Sequence, residues 1–145
     1  MPESKGTIHI KSDNPEEYPS IKYNFLSSQL DRDTLIAGVK LIRKLMRSEA
    51  MKEFCDTEIQ PGYDFSSDED IMQFIRNKAE TLYHPTGTCK MGFDQESVVD
   101  KNLKVHGIKG LRIADASIMP TLVSGNTNAV CMMIGERCAD FILNN

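Results

Sequence analysis

Leu35, Ile36, Val39, Ile42, Leu45 and Met46 recur at spacings of three and four, and residues spaced this way share one face only if the chain is helical. Asp31, Asp33 and Thr34 stand at the front of that run as acidic or capping groups. Lys40, Arg43, Lys44 and Arg47 fall toward its end, the order a helix dipole favours. The spacing predicts a long amphipathic helix from near Asp31, with a buried apolar stripe and a solvated basic face. A second helix is expected from the capping-box spacing of Ser66 and Glu69, with Ile71, Phe74, Ile75, Ala79 and Leu82 on its apolar face. It should stop close to Tyr83, because Pro85 disfavours helical geometry at the residue before it. His84 is that residue, delivered in an extended conformation. A third helix, Ala129 to about Leu143, is apolar at 130, 133, 134, 138, 141 and 142. It reads as largely buried, with its N-terminus formed by the Asn/Thr loop before it.

Extended structure is sparser. Gly6 to Lys11 alternates polar with apolar residues and reads as a half-buried strand, with His9 on its solvent side. A turn at Ser12-Asp13-Asn14-Pro15 leads to an extended stretch through Ile21, Tyr23 and Phe25. Gly110 to Asp115 reads as a short buried strand ending in an acid. The fold class is therefore α+β, an antiparallel sheet with packed helices.

A chain of 145 residues supports one domain with a modest core. Its net charge of -4 and scattered Lys and Arg argue against a nucleic-acid partner. No apolar run nears the roughly 18 residues a membrane span requires, and the first residues carry no signal-peptide pattern. Cys55, Cys89, Cys131 and Cys138 contain no C-x-x-C pair, so neither a metal site nor a disulfide scaffold is expected. Free thiols point to a reducing cytoplasm.

Three clusters could carry chemistry: Tyr83-His84-Pro85 with the Gly-Thr-Cys after it, Ile113-Ala114-Asp115-Ala116, and Ser124-Gly125-Asn126-Thr127-Asn128-Ala129. From residue types alone each has an ordinary structural explanation. His84 suits a helix C-terminus, Asp115 can hydrogen-bond its own turn, and Asn126, Thr127 and Asn128 are good N-caps. Gly87-Thr88-Cys89-Lys90 lacks the spacing of a phosphate loop.

The order of the clusters and the residues between them say more. His84-Pro85-Thr86-Gly87-Thr88-Cys89-Lys90-Met91-Gly92, Val98-Val99-Asp100, Leu103 to Ile108, Gly110 to Pro120, and Ser124 to Ala129 together resemble the C-terminal signature of the glucose–methanol–choline (GMC) oxidoreductases, most of all their choline dehydrogenase-like branch. The resemblance is nearly continuous from 84 to 143. It is looser earlier, through Ser4-Lys5-Gly6 and Ala37-Gly38-Val39. It implies an FAD-dependent oxidation of a small primary alcohol, with hydride passing to flavin N5. His84, over the reactive face of the flavin, would take the hydroxyl proton, and Asn126 would orient the alcohol oxygen. The matching positions for the ribityl and pyrophosphate region of FAD are Asp115 and Ala116; those beside the flavin ring are Thr127 and Asn128. A helix N-terminus near Ala129 would supply N–H donors where negative charge develops.

The same resemblance sets residues 1–97 in a substrate-binding domain and 98–145 in a segment that returns to pack on an FAD-binding domain. The G-x-G-x-x-G fingerprint of that domain does not occur in these 145 residues. The chain is accordingly expected not to hold FAD tightly alone. Its C-terminal strand and helix should present an apolar face for that domain, for self-association or for another partner. A truncated frame, one subunit of a split enzyme and a non-catalytic interaction module all fit these observations.

Overall fold

The computed structural model describes residues 1–144. Its regular elements are β1 (Thr7–His9), β2 (Ser20–Lys22), α1 (Gln29–Met46), α2 (Asp68–Lys78) and α3 (Asn128–Leu143), with single 3-10 turns at Glu49–Met51 and Ala116–Ile118. β1 and β2 pair as a small antiparallel sheet, so the α+β expectation holds. The sheet is shorter than the alternation from Gly6 to Lys11 suggested. All three residues of β1 are exposed, so the strand is not half-buried. The chain divides into two compact units, one of residues 2–6 and 21–81, the other of Met1, Thr7–Ser20 and the chain from Leu82 onward.

In the first unit α1 and α2 pack together. Ile71, Met72 and Ile75 of α2 form its buried centre, lined by Leu26, Ile36, Val39 and Phe74. No residue of α1 is buried. The expected buried stripe is covered only near Ile36 and Val39, and Leu35, Ile42, Leu45 and Met46 remain exposed. Periodicity identifies the face that seeks cover, not whether these residues provide it. The basic face also differs from expectation, since Arg43 is mostly buried. Its Nε and Nη2 donate to Glu58 at 2.9 and 2.7 Å, Nη1 donates to the Phe65 carbonyl and Nη2 to that of Gly62. A planar guanidinium satisfies a carboxylate and two carbonyls at once, and it ties the 58–65 loop to α1.

Asp31 does not cap α1, which begins two residues earlier. Its carboxylate accepts from the amides of Glu3 and Ser4, and a hydrogen bond from the Ser4 side chain, with these two, holds it below the usual carboxylate range. The capping box of α2 uses Ser67 and Asp70 rather than Ser66 and Glu69. The run Ser66-Ser67-Asp68-Glu69-Asp70 offers the same spacing in two registers, and the chain takes the second. Gly6 comes so close to the Lys22 and Tyr23 carbonyls that a Cβ would collide with backbone.

The second unit has the larger core, made of Val99, Leu103, Ile118, Met119, Ile134 and Cys138. Isolated bridges (Met91 with Val99, Val99 with Val105, Lys104 with Arg112) replace regular strands. The strand expected at 110–115 reduces to one such bridge. Positive φ at Leu103, Gly107 and Gly110 turns the chain too often for a longer ladder. Arg112 donates to the carbonyls of Asn102 and Phe141, satisfying an acceptor near the end of α3. α3 buries only Ile134 and Cys138, while Met132, Met133, Ile142 and Leu143 are exposed. The helix is thus half-covered rather than largely buried.

Candidate active site

α2 ends at Lys78, with Ala79 as its C-cap, five residues before the position expected from Pro85. His84 therefore does not cap a helix, and that explanation of it fails. Tyr83 takes a left-handed conformation, φ 59°, and His84-Pro85 follows as irregular chain. From here the backbone is bound to the segment around Asp115. The amide of Cys89 donates to the Ser117 carbonyl at 3.0 Å, and that of Met91 to the Ile118 carbonyl at 2.8 Å. Gly87 sits at φ +84°, where a Cβ would lie 3.3 Å from the Met119 carbonyl oxygen. Glycine suits both the conformation and the approach.

Asp115 is exposed. Its Oδ1 accepts from the Ser117 amide at 2.7 Å and caps the 3-10 turn that begins at Ala116. The structural explanation of Asp115 is thus correct as far as it goes. The other carboxylate oxygen has no partner among the described residues. Ala116 packs at the edge of the core, and its carbonyl accepts from Met119.

His84 meets the third cluster through Thr127. The Thr127 hydroxyl lies 3.0 Å from His84 Nδ1, across 43 residues of sequence. Thr127 immediately precedes α3, and its carbonyl accepts the first helical bond, from Cys131. Its side chain does not cap the helix, and no acidic residue stands in the first turn. The expectation of an Asn/Thr cap is corrected here: the hydroxyl that would cap α3 is turned to the imidazole. Thr127 is buried at 8% exposure, while Asn126 and Asn128 on either side are exposed and make no hydrogen bond to His84. Nε2 of His84 has no partner among the described residues.

Neighbouring charges have structural work. The Lys90 ammonium pairs with Asp94 at 3.0 Å and Glu96 at 3.3 Å, and its hydrogen bond to Asp94 raises it above the usual lysine range. Burial raises the Asp100 carboxyl, but donation from the Lys104 and Asn102 amides outweighs this and leaves it below the ordinary 3.8. Among the described residues no cluster of His, Cys, Asp and Glu could hold a metal, all four cysteines are free, and no helix is long and apolar enough to cross a membrane.

Residues 2–135 match the family model for GMC oxidoreductases. Over 139 residues the chain is 45% identical to the oxygen-dependent choline dehydrogenase of Escherichia coli strain K12, covering 96% of this chain and 25% of that protein. Pyridoxine 4-oxidase from Mesorbium loti matches it with a TM-score of 0.91 at 29% identity, over 99% of this chain and 28% of that one. An FAD-dependent oxidoreductase from Chaetomium thermophilum matches with a TM-score of 0.87 at 31% identity, over 94% and 24%. The fold is that of a GMC oxidoreductase C-terminal region. The chain belongs to the GMC oxidoreductase family, on its choline dehydrogenase-like side. It spans about a quarter of the length of the curated relatives it matches.

Proposed function

We propose that this chain forms one wall of the active site in an FAD-dependent alcohol oxidoreductase, and that His84 accepts the hydroxyl proton of a small primary alcohol. The observation that carries this reading is the state of His84: one ring nitrogen is held by a buried threonine and the other has no partner among the described residues. A histidine held at one nitrogen and open at the other is suited to general-base work.

The residues fit the cofactor. α3 begins without a side-chain cap or an acid, so its first amides and the positive end of its dipole suit a group that gains negative charge. Asp115 is exposed with one carboxylate oxygen unengaged, an acceptor fit for sugar-alcohol hydroxyls. Asp115 and Ala116 would hold the ribityl and pyrophosphate region, and Thr127 and Asn128 the ring edge, Thr127 through its backbone. FAD, when bound, would supply the hydride acceptor for the alcohol carbon. His84 takes the hydroxyl proton at Nε2, while the Asn126 amide would orient the alcohol oxygen as a neutral hydrogen-bonding group. The 45% identity to choline dehydrogenase makes choline the first alcohol to try.

Residues 98–145 belong, on this reading, beside an FAD-binding domain, with 1–97 in the substrate-binding part. The exposed Met132, Met133 and Ile142 of α3 support cover by such a domain or by a second copy of the chain. Free thiols throughout support a reducing compartment such as the cytoplasm. The test is bleaching of flavin absorbance by alcohol in the FAD-loaded enzyme containing this chain. His84→Ala should slow it by roughly 10²- to 10⁴-fold with FAD still bound. Bleaching at the wild-type rate would overturn the assignment.

A further inference from the structure

Thr127 has an unusual combination of properties for a residue at the start of a helix. Its hydroxyl is in the N-cap position yet bonds no amide of α3, and it is the buried polar residue of the described chain. The contact it makes instead is to His84 Nδ1 at 3.0 Å. We propose that Thr127 is a positioning residue for the oxidation, whose hydroxyl fixes the ring plane and the tautomer of His84 so that the Nε2 lone pair is the one presented to the alcohol. This inference rests on the reading of His84 as the base.

The chemistry follows from the donor and acceptor inventory. Neutral imidazole carries one proton, on Nδ1 or Nε2, and the partner of one nitrogen decides which. A hydroxyl can donate or accept, but a base at Nε2 needs the arrangement in which Nδ1–H donates to Thr127 Oγ1. When the alcohol proton arrives at Nε2, that bond persists, so the ring does not reorient during the transfer. A hydroxyl is also neutral. It holds Nδ1 without placing a counter-charge beside the cation that forms, as a carboxylate would. Burial of Thr127 fixes its rotamer and so makes its hydroxyl a rigid reference.

His106 supplies an internal contrast. Its Nε2 lies 3.0 Å from the Gly92 carbonyl oxygen, which only accepts, so His106 must hold its proton on Nε2. His84 and His106 should therefore be opposite tautomers. Long-range ¹H–¹⁵N spectra of the full chain, at a pH where both rings are neutral, report this directly, with His84→Gln assigning the resonances. The expected result is Nδ1–H for His84 and Nε2–H for His106. Thr127→Val should shift His84 toward a mixture and leave His106 unchanged, whereas Thr127→Ser should keep the wild-type pattern. In the FAD-loaded enzyme, Thr127→Val should lower kcat about ten-fold, the loss of one modest hydrogen bond, with KM nearly unchanged and restored kcat in the serine variant.

An Nε2–H tautomer for His84 in the unsubstituted chain overturns the proposal, and so does a Thr127→Val variant with unaltered spectra. Should His84→Ala retain full alcohol oxidation, the base assignment fails instead, and that outcome is separate from the tautomer measured here.

Discussion

The two compact units use their fixed polar groups in opposite ways. In the unit containing residues 21–81, the side chain of Arg43 closes on Glu58 and on the carbonyls of Gly62 and Phe65, and its bonds all end within the protein. In the unit running from Leu82, the polar groups are half-used. Asp115 commits one carboxylate oxygen to its own turn, His84 commits Nδ1 to Thr127, and α3 begins uncapped. A saturated buried group is an anchor. A group fixed at one atom and open at the other is placed to receive something, and three of these occur within the signature segments.

Substitutions that exchange the two kinds of group sharpen this contrast. The largest effect on activity is the loss of alcohol oxidation in His84→Ala, with little change in stability. The largest effect on stability belongs to the anchor. Arg43→Ala leaves Glu58 nearly buried without its main partner and should cost about 3 kcal/mol in a urea titration. Arg43→Lys should recover little, because one ammonium cannot reproduce the planar fork. Asp115→Ala removes a cap and should cost about 1 kcal/mol, while Asp115→Asn, an equally good cap, should melt like the parent.

The smallest effect is on pH dependence. The folded-state value of Asp100 is depressed below 3.8, so its contribution is complete above that value in the unfolded chain. It is lost as pH falls through the lower folded value. Acid titration of Asp100→Asn should show a shallower loss of stability below pH 3.8 than the parent, and an unchanged slope would remove Asp100 from the account.

Much of this arrangement was legible in the sequence, and the limits have physical causes. Helical periodicity located all three helices, because amphipathic spacing is a local property. It misjudged their cover: the stripe on α1 and half of α3 are exposed, since cover depends on what packs against them. Local signals also fixed α2 only to within a register, and the influence of Pro85 did not extend helix up to Tyr83. The segments bearing His84, Asp115 and Asn126 to Asn128 stood out as clusters. Their joining came only through the family resemblance, because the Cys89–Ser117 and His84–Thr127 bonds span long stretches of chain that local pattern does not connect. Thr127 read as a cap because threonine before a helix usually is one. Arg43 read as solvated because its partner, Glu58, lies in a loop without a periodic signal.

The central claim is that His84 takes the alcohol proton, and the pH dependence of kcat/KM in the FAD-loaded enzyme tests it most directly, comparing the parent with His84→Gln. A base must be neutral to act, so the parent should lose activity on the acid side of its profile. The glutamine variant should show a lower, flat profile over that range. The same limb in both proteins would assign the proton to another group and contradict the account.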